Sequence, residues 1–468
     1  MKKPALLFLT IALSTHLLAQ NIDGAWSGAL DIQGIKLHLV LNINTSSNKK
    51  LNATLDSPDQ GAKNLPISSI NFENSVLKFA LSMAKIEYQG TLGSDSVFIG
   101  TFKQNGNILP LNLSKSMSTP ELKNIIHPQE PVEPFPYYNE DVTFENSDSK
   151  ISLAGTLTLP KKEGNYPVVI LIAGSGPNNR DENILGHKPF LVIADFLTRN
   201  NIGVLRCDKR GIGQSKGDYK TATTADFASD VRAAINYLKS RKEVNVQKIG
   251  LIGHSEGGII APLVAANNRD VAFIILLAGT GISGDSLLLL QSEMIQRASK
   301  VDENTIKKTV AFSKGAFAIV RKENNVVELN KELNIYFIEK LKADATLKPE
   351  TMSDSNFIKS NTTRLISPWM RYFLNYNPEI ILKDVKCPTL ALNGSRDTQV
   401  PAAANLAAIK SGLARGKNKN VTIKELPNLN HLFQECTTGA PSEYSEIEQT
   451  FSPIALTEIL NFVHTQIK

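Results

Sequence analysis

Apolar and polar positions alternate with a period of two from Asn21 to about Ser114, as in Lys36-Leu37-His38-Leu39-Val40-Leu41-Asn42-Ile43. Side chains that point by turns to opposite faces of a strand give this pattern, and few windows here carry helical spacing. Turn residues at Ser57-Pro58-Asp59-Gln60-Gly61 and Gly93-Ser94-Asp95 cut the pattern into short strands. A small antiparallel barrel or sandwich is expected over residues 20–115, with Trp26 and Tyr88 as core aromatics. Pro120, Pro128, Pro131, Pro134 and Pro136 then mark residues 116–139 as a semi-rigid, extended linker.

The pattern changes near Glu140, opening a second domain over 140–468. Apolar runs of strand length occur at Val168–Ile172, Ile202–Leu205, Ile249–Ile252, Val271–Leu277, Thr389–Leu392 and Val421–Ile423. Helix-like stretches separate them, among them Phe190–Arg199, Phe227–Leu238 and Ile259–Ala266. Strands buried on both faces read as continuous apolar runs, so the alternation predicts a doubly wound, mostly parallel α/β sheet. Between about Gly281 and Pro378 the rhythm becomes helical and charged before it resumes. That insertion is expected to be a helical cap, and it leaves the sheet at the carboxyl ends of the strands, where open α/β sheets bind ligands.

At 468 residues the chain suits two domains, and 42% hydrophobic with 21% charged residues is the composition of a globular protein. Met1-Lys2-Lys3, the apolar stretch Ala5 to Leu18 and Ala19-Gln20 have the form of a secretory signal over residues 1–19, cleaved after Ala19. The expected mature protein is exported, periplasmic or secreted, with no membrane span after signal removal. A formal charge of +6, thinly spread, is no nucleic-acid footprint. Cys207, Cys387 and Cys436 are too few for a disulfide framework.

The chemistry centres on Ile249-Gly250-Leu251-Ile252-Gly253-His254-Ser255-Glu256-Gly257-Gly258, a Gly-x-Ser-x-Gly sequence between an apolar strand and a helix-like stretch. A serine on so sharp a turn needs small neighbours and lies at a helix N-terminus, where backbone N–H groups can hold an oxyanion. Ser255 is therefore the candidate nucleophile, and the N–H of Glu256 one oxyanion donor. A serine needs a base. Of the seven histidines, His431 follows the last strand in the polar loop Leu426-Pro427-Asn428-Leu429-Asn430-His431, and His187 is its one serious competitor. The acid falls between nucleophile and histidine in hydrolases with this elbow. Asp397 directly follows the Thr389 strand, whereas Asp384 precedes it. The second oxyanion donor is sought in Ala173-Gly174-Ser175-Gly176-Pro177: the N–H of Ser175 first, with Gly174 and Gly176 open. Asp208 and Arg210 are expected to pair and brace the loop after the Ile202 strand. Gly211-Ile212-Gly213 lacks the rest of a dinucleotide fingerprint, and no His-Glu-x-x-His spacing occurs, so no cofactor or metal is implied.

Taken with Gly174-Ser175-Gly176-Pro177, Arg180-Asp181, Asp208-Lys209-Arg210-Gly211 and Asn393-Gly394-Ser395-Arg396-Asp397, the elbow resembles that of a bacterial esterase family in the α/β-hydrolase superfamily. Its members are similar to serine aminopeptidases, and some carry an N-terminal β domain. The resemblance implies the α/β-hydrolase fold and hydrolysis of short-chain acyl esters, small-molecule substrates, by Ser255, Asp397 and His431. Relatives often have a histidine before the first oxyanion glycine, where this chain has Ala173. Two other activities fit the same residues: a serine aminopeptidase, and a non-catalytic binding protein on a hydrolase scaffold. Trp369, Met370, Tyr372 and Phe373 in the cap are candidates to occupy acyl space.

Overall fold

The computed structural model describes residues 21–468 except 33–34, 49, 61, 94–95, 105–106, 116–126 and 351. The expected signal over 1–19, Pro120 and the tip of the Gly93-Ser94-Asp95 turn lie outside the described residues.

The N-terminal strands are β1 (Gly24–Ile32), β2 (Ile35–Thr45), β3 (Leu51–Ser57), β4 (Ala62–Pro66), β5 (Ser69–Glu73), β6 (Val76–Leu81), β7 (Ile86–Leu92), β8 (Val97–Gln104), β9 (Asn107–Pro110) and β10 (Leu113–Lys115). They form one antiparallel sheet in the order β4-β3-β2-β1-β10-β8-β7-β6-β5, with β9 paired to β8. The two ends of that order, β4 and β5, are neighbours in sequence, so the sheet curls into a barrel-like shell. Alternate residues fill it, among them Trp26, Leu41, Leu77, Tyr88 and Phe98. Trp26 donates its indole N–H to the Ile22 carbonyl at 2.8 Å, so the buried ring leaves no polar atom unpaired.

The second sheet runs β11-β12-β14-β13-β15-β16-β17-β18, from β11 (Tyr138–Asn146), β12 (Ile151–Leu159), β13 (Tyr166–Ile172), β14 (Gly203–Cys207), β15 (Val244–His254), β16 (Phe273–Leu277), β17 (Thr389–Gly394) and β18 (Val421–Leu426). β11 and β12 add antiparallel, and the remaining pairs are parallel. α1 (Pro189–Arg199) and α11 (Pro453–Gln466) pack on one face, and α2 (Thr224–Lys239), α3 (Gly257–Ala265) and α10 (Ala402–Arg415) on the other. This is the α/β-hydrolase fold, a doubly wound sheet following a small all-β sheet.

The insertion holds α4 (Gly284–Ala298), α5 (Glu303–Lys322), α6 (Val326–Ala343), α7 (Asp354–Leu365), α8 (Pro368–Asn375) and α9 (Pro378–Leu382). It has a core of its own, including Phe317, Leu333, Phe337, Leu365 and Met370. The β9 strand lies against α7, and β2 lies against the 3-10 turn Pro441–Glu446. The described linker residues are not a free spacer. Gln129 accepts from the N–H groups of Thr450 and Phe451 and donates to the Phe451 carbonyl, and Glu130 pairs with Lys188. Proline fixes the extended path, and these side chains fasten it down.

Candidate active site

The strand order places the site. β13 lies between β14 and β15, so the chain winds outward in opposite directions from β13, and loops at such a switch point splay apart into a crevice. Ile172 is in register with Gly253, which sets the start of the Ala173–Pro177 loop beside the elbow.

Ser255 follows the last residue of β15 with φ of +53°, a conformation that costs a non-glycine residue about 1–3 kcal/mol. Its N–H donates to the Leu277 carbonyl at 2.9 Å, which holds the turn against β16. A Cβ on Gly253 would run into the Gly257 carbonyl oxygen, and one on Gly257 into that of Ile172. The two glycines are thus fixed by backbone contact across the turn. Ser255 is half-buried between neighbours that are all buried.

Asp397 and His431 come together from the loops after β17 and β18. His431 Nδ1 lies 2.8 Å from Asp397 Oδ2, and both residues are buried. Asp397 Oδ1 accepts from the N–H groups of Gln399 and Val400, each at 2.8 Å, so the carboxylate is held by its own loop. The His431 loop is clamped by Asn430, whose side-chain oxygen accepts from the N–H groups of Leu432 and Gln434. With Nδ1 donating to the carboxylate, Nε2 of the neutral ring carries the lone pair. Neither Nε2 nor Ser255 Oγ has a hydrogen-bond partner among the described residues.

Of the three candidates in the first loop, the Gly174 N–H is already donated to Glu182 Oε1 at 2.5 Å, which removes it as an oxyanion donor. The N–H groups of Ser175 and Glu256 have no acceptor among the described residues. The Gly174 carbonyl accepts from Lys209 Nζ at 2.5 Å and from Asn178 Nδ2 at 2.8 Å, so the loop is held on both sides of that residue.

Several residues at the site lay outside the expectation. The Glu256 side chain is buried and bonded to three elements: Lys209 at 3.1 Å, the Thr224 hydroxyl at 2.8 Å and the Trp369 indole N–H at 2.7 Å. Lys209 also lies over the Phe227 ring, 4.4 Å from its centroid. Removing one partner of such a buried pair would leave the other charge uncompensated, at about 3–5 kcal/mol. His254 points toward Glu182 at 3.0 Å and the His431 carbonyl at 2.9 Å. Burial alone would disfavour its charged form, but the Glu182 carboxylate, with help from the His431 carbonyl, holds its pKa above the ordinary histidine value. The sequence carried one signal for this arrangement, a histidine and a glutamate flanking Ser255; it gave no sign of Glu182 or Lys209.

One expectation changes. Asp208 and Arg210 do not pair with each other: Asp208 turns back to Arg180 in the first loop at 2.8 Å, and Arg210 reaches α2 at Asp230, also 2.8 Å. Each charge finds its partner on the element that its own loop packs against. His187 is fully buried, its ring fixed by the Tyr444 carbonyl at 2.8 Å and the Thr450 hydroxyl at 3.1 Å, and is structural. Trp369 adjoins the elbow, yet its polar edge is committed to Glu256 and its face is stacked on Phe373, 5.0 Å between centroids.

Residues 189–435, just over half of the chain, match the family described as serine aminopeptidase, S33. The esterase EstD of Thermotoga maritima is 28% identical over 306 residues, 64% of this chain. The match spans 62% of that relative's length, less than two thirds of it. A stretch of 99 residues, 21% of this chain and 33% of the relative, is 32% identical to the protein YfhR of Escherichia coli. Among solved structures, the α/β hydrolase GrgF from a Penicillium species superposes with a TM-score of 0.42 at 18% identity, covering 70% of this chain and 99% of its own.

Proposed function

We propose, from the premise that the chain belongs to the serine aminopeptidase (S33) family of α/β-hydrolases, that it hydrolyses carboxylic esters of short acyl chains through a covalent acyl-enzyme. The observation that carries this reading is the pairing of Asp397 with His431 Nδ1 at 2.8 Å, on a loop whose His431 carbonyl is bonded to His254, the residue before a strained and half-buried Ser255. Ser255 Oγ attacks the acyl carbon as His431 Nε2 takes its proton, and the Glu256 and Ser175 N–H groups receive the oxyanion. Collapse expels the alcohol with the proton from His431. Water then enters by the same route and releases the acid.

An aminopeptidase would need a carboxylate to bind the substrate ammonium. The buried carboxylates around the elbow each already have partners: Asp397 holds His431, Glu182 holds His254 and Gly174 through Oε1, and Glu256 holds Lys209, Thr224 and Trp369. That favours esters. The pattern of residues 1–19 supports action outside the cytoplasm.

Matched aryl esters and aminoacyl anilides, offered to the purified protein with an organophosphonate probe, test the reading. Ester turnover with little anilide cleavage, and labelling lost in Ser255→Ala, is the expected result. Faster anilide cleavage would make the protein a peptidase, and absence of both turnover and labelling would make it a binding protein.

A further inference from the structure

We propose that His254, held as an imidazolium between the Glu182 carboxylate and the carbonyl oxygen of His431, is a positioning residue that couples the oxyanion loop to the base. The inference rests on the reading of Ser255, His431 and Asp397 as the triad.

The geometry leaves the ring little choice. A carbonyl oxygen only accepts, so the His254 nitrogen 2.9 Å from the His431 oxygen carries a proton. The other nitrogen lies 3.0 Å from Glu182 Oε1, which already accepts the Gly174 N–H at 2.5 Å. A rigid ring that donates in two divergent directions is what imidazolium alone among side chains of this size supplies. One rigid chain of contacts thus runs from the Gly174 backbone through Glu182 and His254 to the backbone of His431. Asp397 fixes the ring of the base, and His254 fixes its main chain.

Glu182 is built for this task. Its φ is +51°, it is fully buried, and its second oxygen, Oε2, has no partner among the described residues. The adjoining gap is too narrow for a water molecule and is walled by Pro189, Phe190, Ile193, Leu277, Leu432 and Phe451. Nothing titratable lies on that wall, so the charge of Glu182 is balanced by His254. The other groups facing His254 are the His431 ring, 4.9 Å between centroids, and Asp397.

A purely structural pair would affect folding alone, whereas a positioning pair controls turnover as it titrates. Because the pKa of His254 is raised in the folded protein, the contribution of the pair is complete below the ordinary histidine value and is lost as pH rises through the folded pKa. Turnover should then fall on the alkaline side, in kcat more than in KM, as the oxyanion loop and the base drift apart; misplacement of about 1 Å costs on the order of 100-fold.

The test measures kcat and KM for an aryl ester against pH in the full chain, its Glu182→Gln and His254→Asn variants, and counts competent sites with the organophosphonate. In Glu182→Gln the alkaline limb should move down by about one pH unit or more, with the acidic limb unmoved. In His254→Asn, which cannot ionise there, the limb should vanish and kcat fall about 100-fold, while Ser255 is still labelled. Superimposable pH profiles with only a lower Tm overturn the proposal. Absence of labelling in the unmutated protein instead sinks the triad reading, and this inference with it. Should the variants not fold, histidine 15N spectra of the unmutated chain decide: one ring must stay doubly protonated as pH rises past the point where ordinary histidines have become neutral, and its absence overturns the proposal.

Discussion

Ser255 holds a backbone conformation that its own side chain opposes, with φ of +53°. Strain of this kind persists where the surroundings over-determine it, here the glycines on either side and the bond to Leu277. Function and stability should therefore part company at this position. Ser255→Ala and His431→Ala are each expected to cut turnover by roughly a million-fold, since members of a triad act as a unit, and Asp397→Asn somewhat less. Ser255→Gly is equally inactive but relieves the strain, and should exceed Ser255→Ala in unfolding free energy by about 1 kcal/mol. Denaturant titration of the two inactive variants checks this; equal stability would mean that the turn is unstrained.

The cap is joined to the sheet domain through α8, whose Trp369 donates to Glu256, one residue after Ser255. Its N-cap, Ser367, accepts from the Met370 N–H at 3.3 Å, and Pro368 sits at the first helical position, so the sequence starts the helix unambiguously. Phe373 is buried against Trp369 and is packing, while the indole is only half-buried. Trp369→Phe keeps the ring and loses a bond to a charged group, worth about 1.5–3 kcal/mol, so it should lower Tm and leave the acyl-length profile intact. Trp369→Ala should shift kcat/KM toward octanoyl over acetyl esters, at about 1–3 kcal/mol per methylene newly accommodated. An unchanged profile in the alanine variant would make the tryptophan purely a tether.

Across the whole molecule, the described part of the linker and the loop after His431 form one packed seam. His187 lies in it with ring centroids 4.0 Å from His127, and the Tyr444 hydroxyl accepts from Gln399 of the Asp397 loop at 3.0 Å. Burial, and secondarily the neighbouring His127, push the His187 pKa down to about 4. The unfolded chain, titrating near 6.5, binds the extra proton first, so stability is complete above about 6.5 and is lost as pH falls toward 4. The loss attributable to this ring is about 3 kcal/mol over that window. Urea unfolding at pH 7 and near pH 4 should show it in the unmutated chain, and His187→Gln should flatten the slope by that amount. Parallel slopes would place the acid sensitivity elsewhere.

Periodicity by itself determined the two kinds of architecture, because a period of two and continuous apolar runs are imposed by which faces of a strand are buried. The Gly-x-Ser-x-Gly motif singled out Ser255 as a candidate, and strand boundaries with chain order did the same for Asp397 and His431: Asp384 precedes its strand, and His187 comes before the serine in the chain. The edge strands β11 and β12 were not legible: their antiparallel addition depends on the partner offered by β14. Nor was the partner of any buried charge. Asp208 with Arg180, Arg210 with Asp230, and Glu182 with His254 are separated in sequence by 20 to 72 residues. Spacing along a chain carries no information about such pairs. They are fixed when the sheet brings its loops together and each buried charge has to take whatever opposite charge the fold has set beside it.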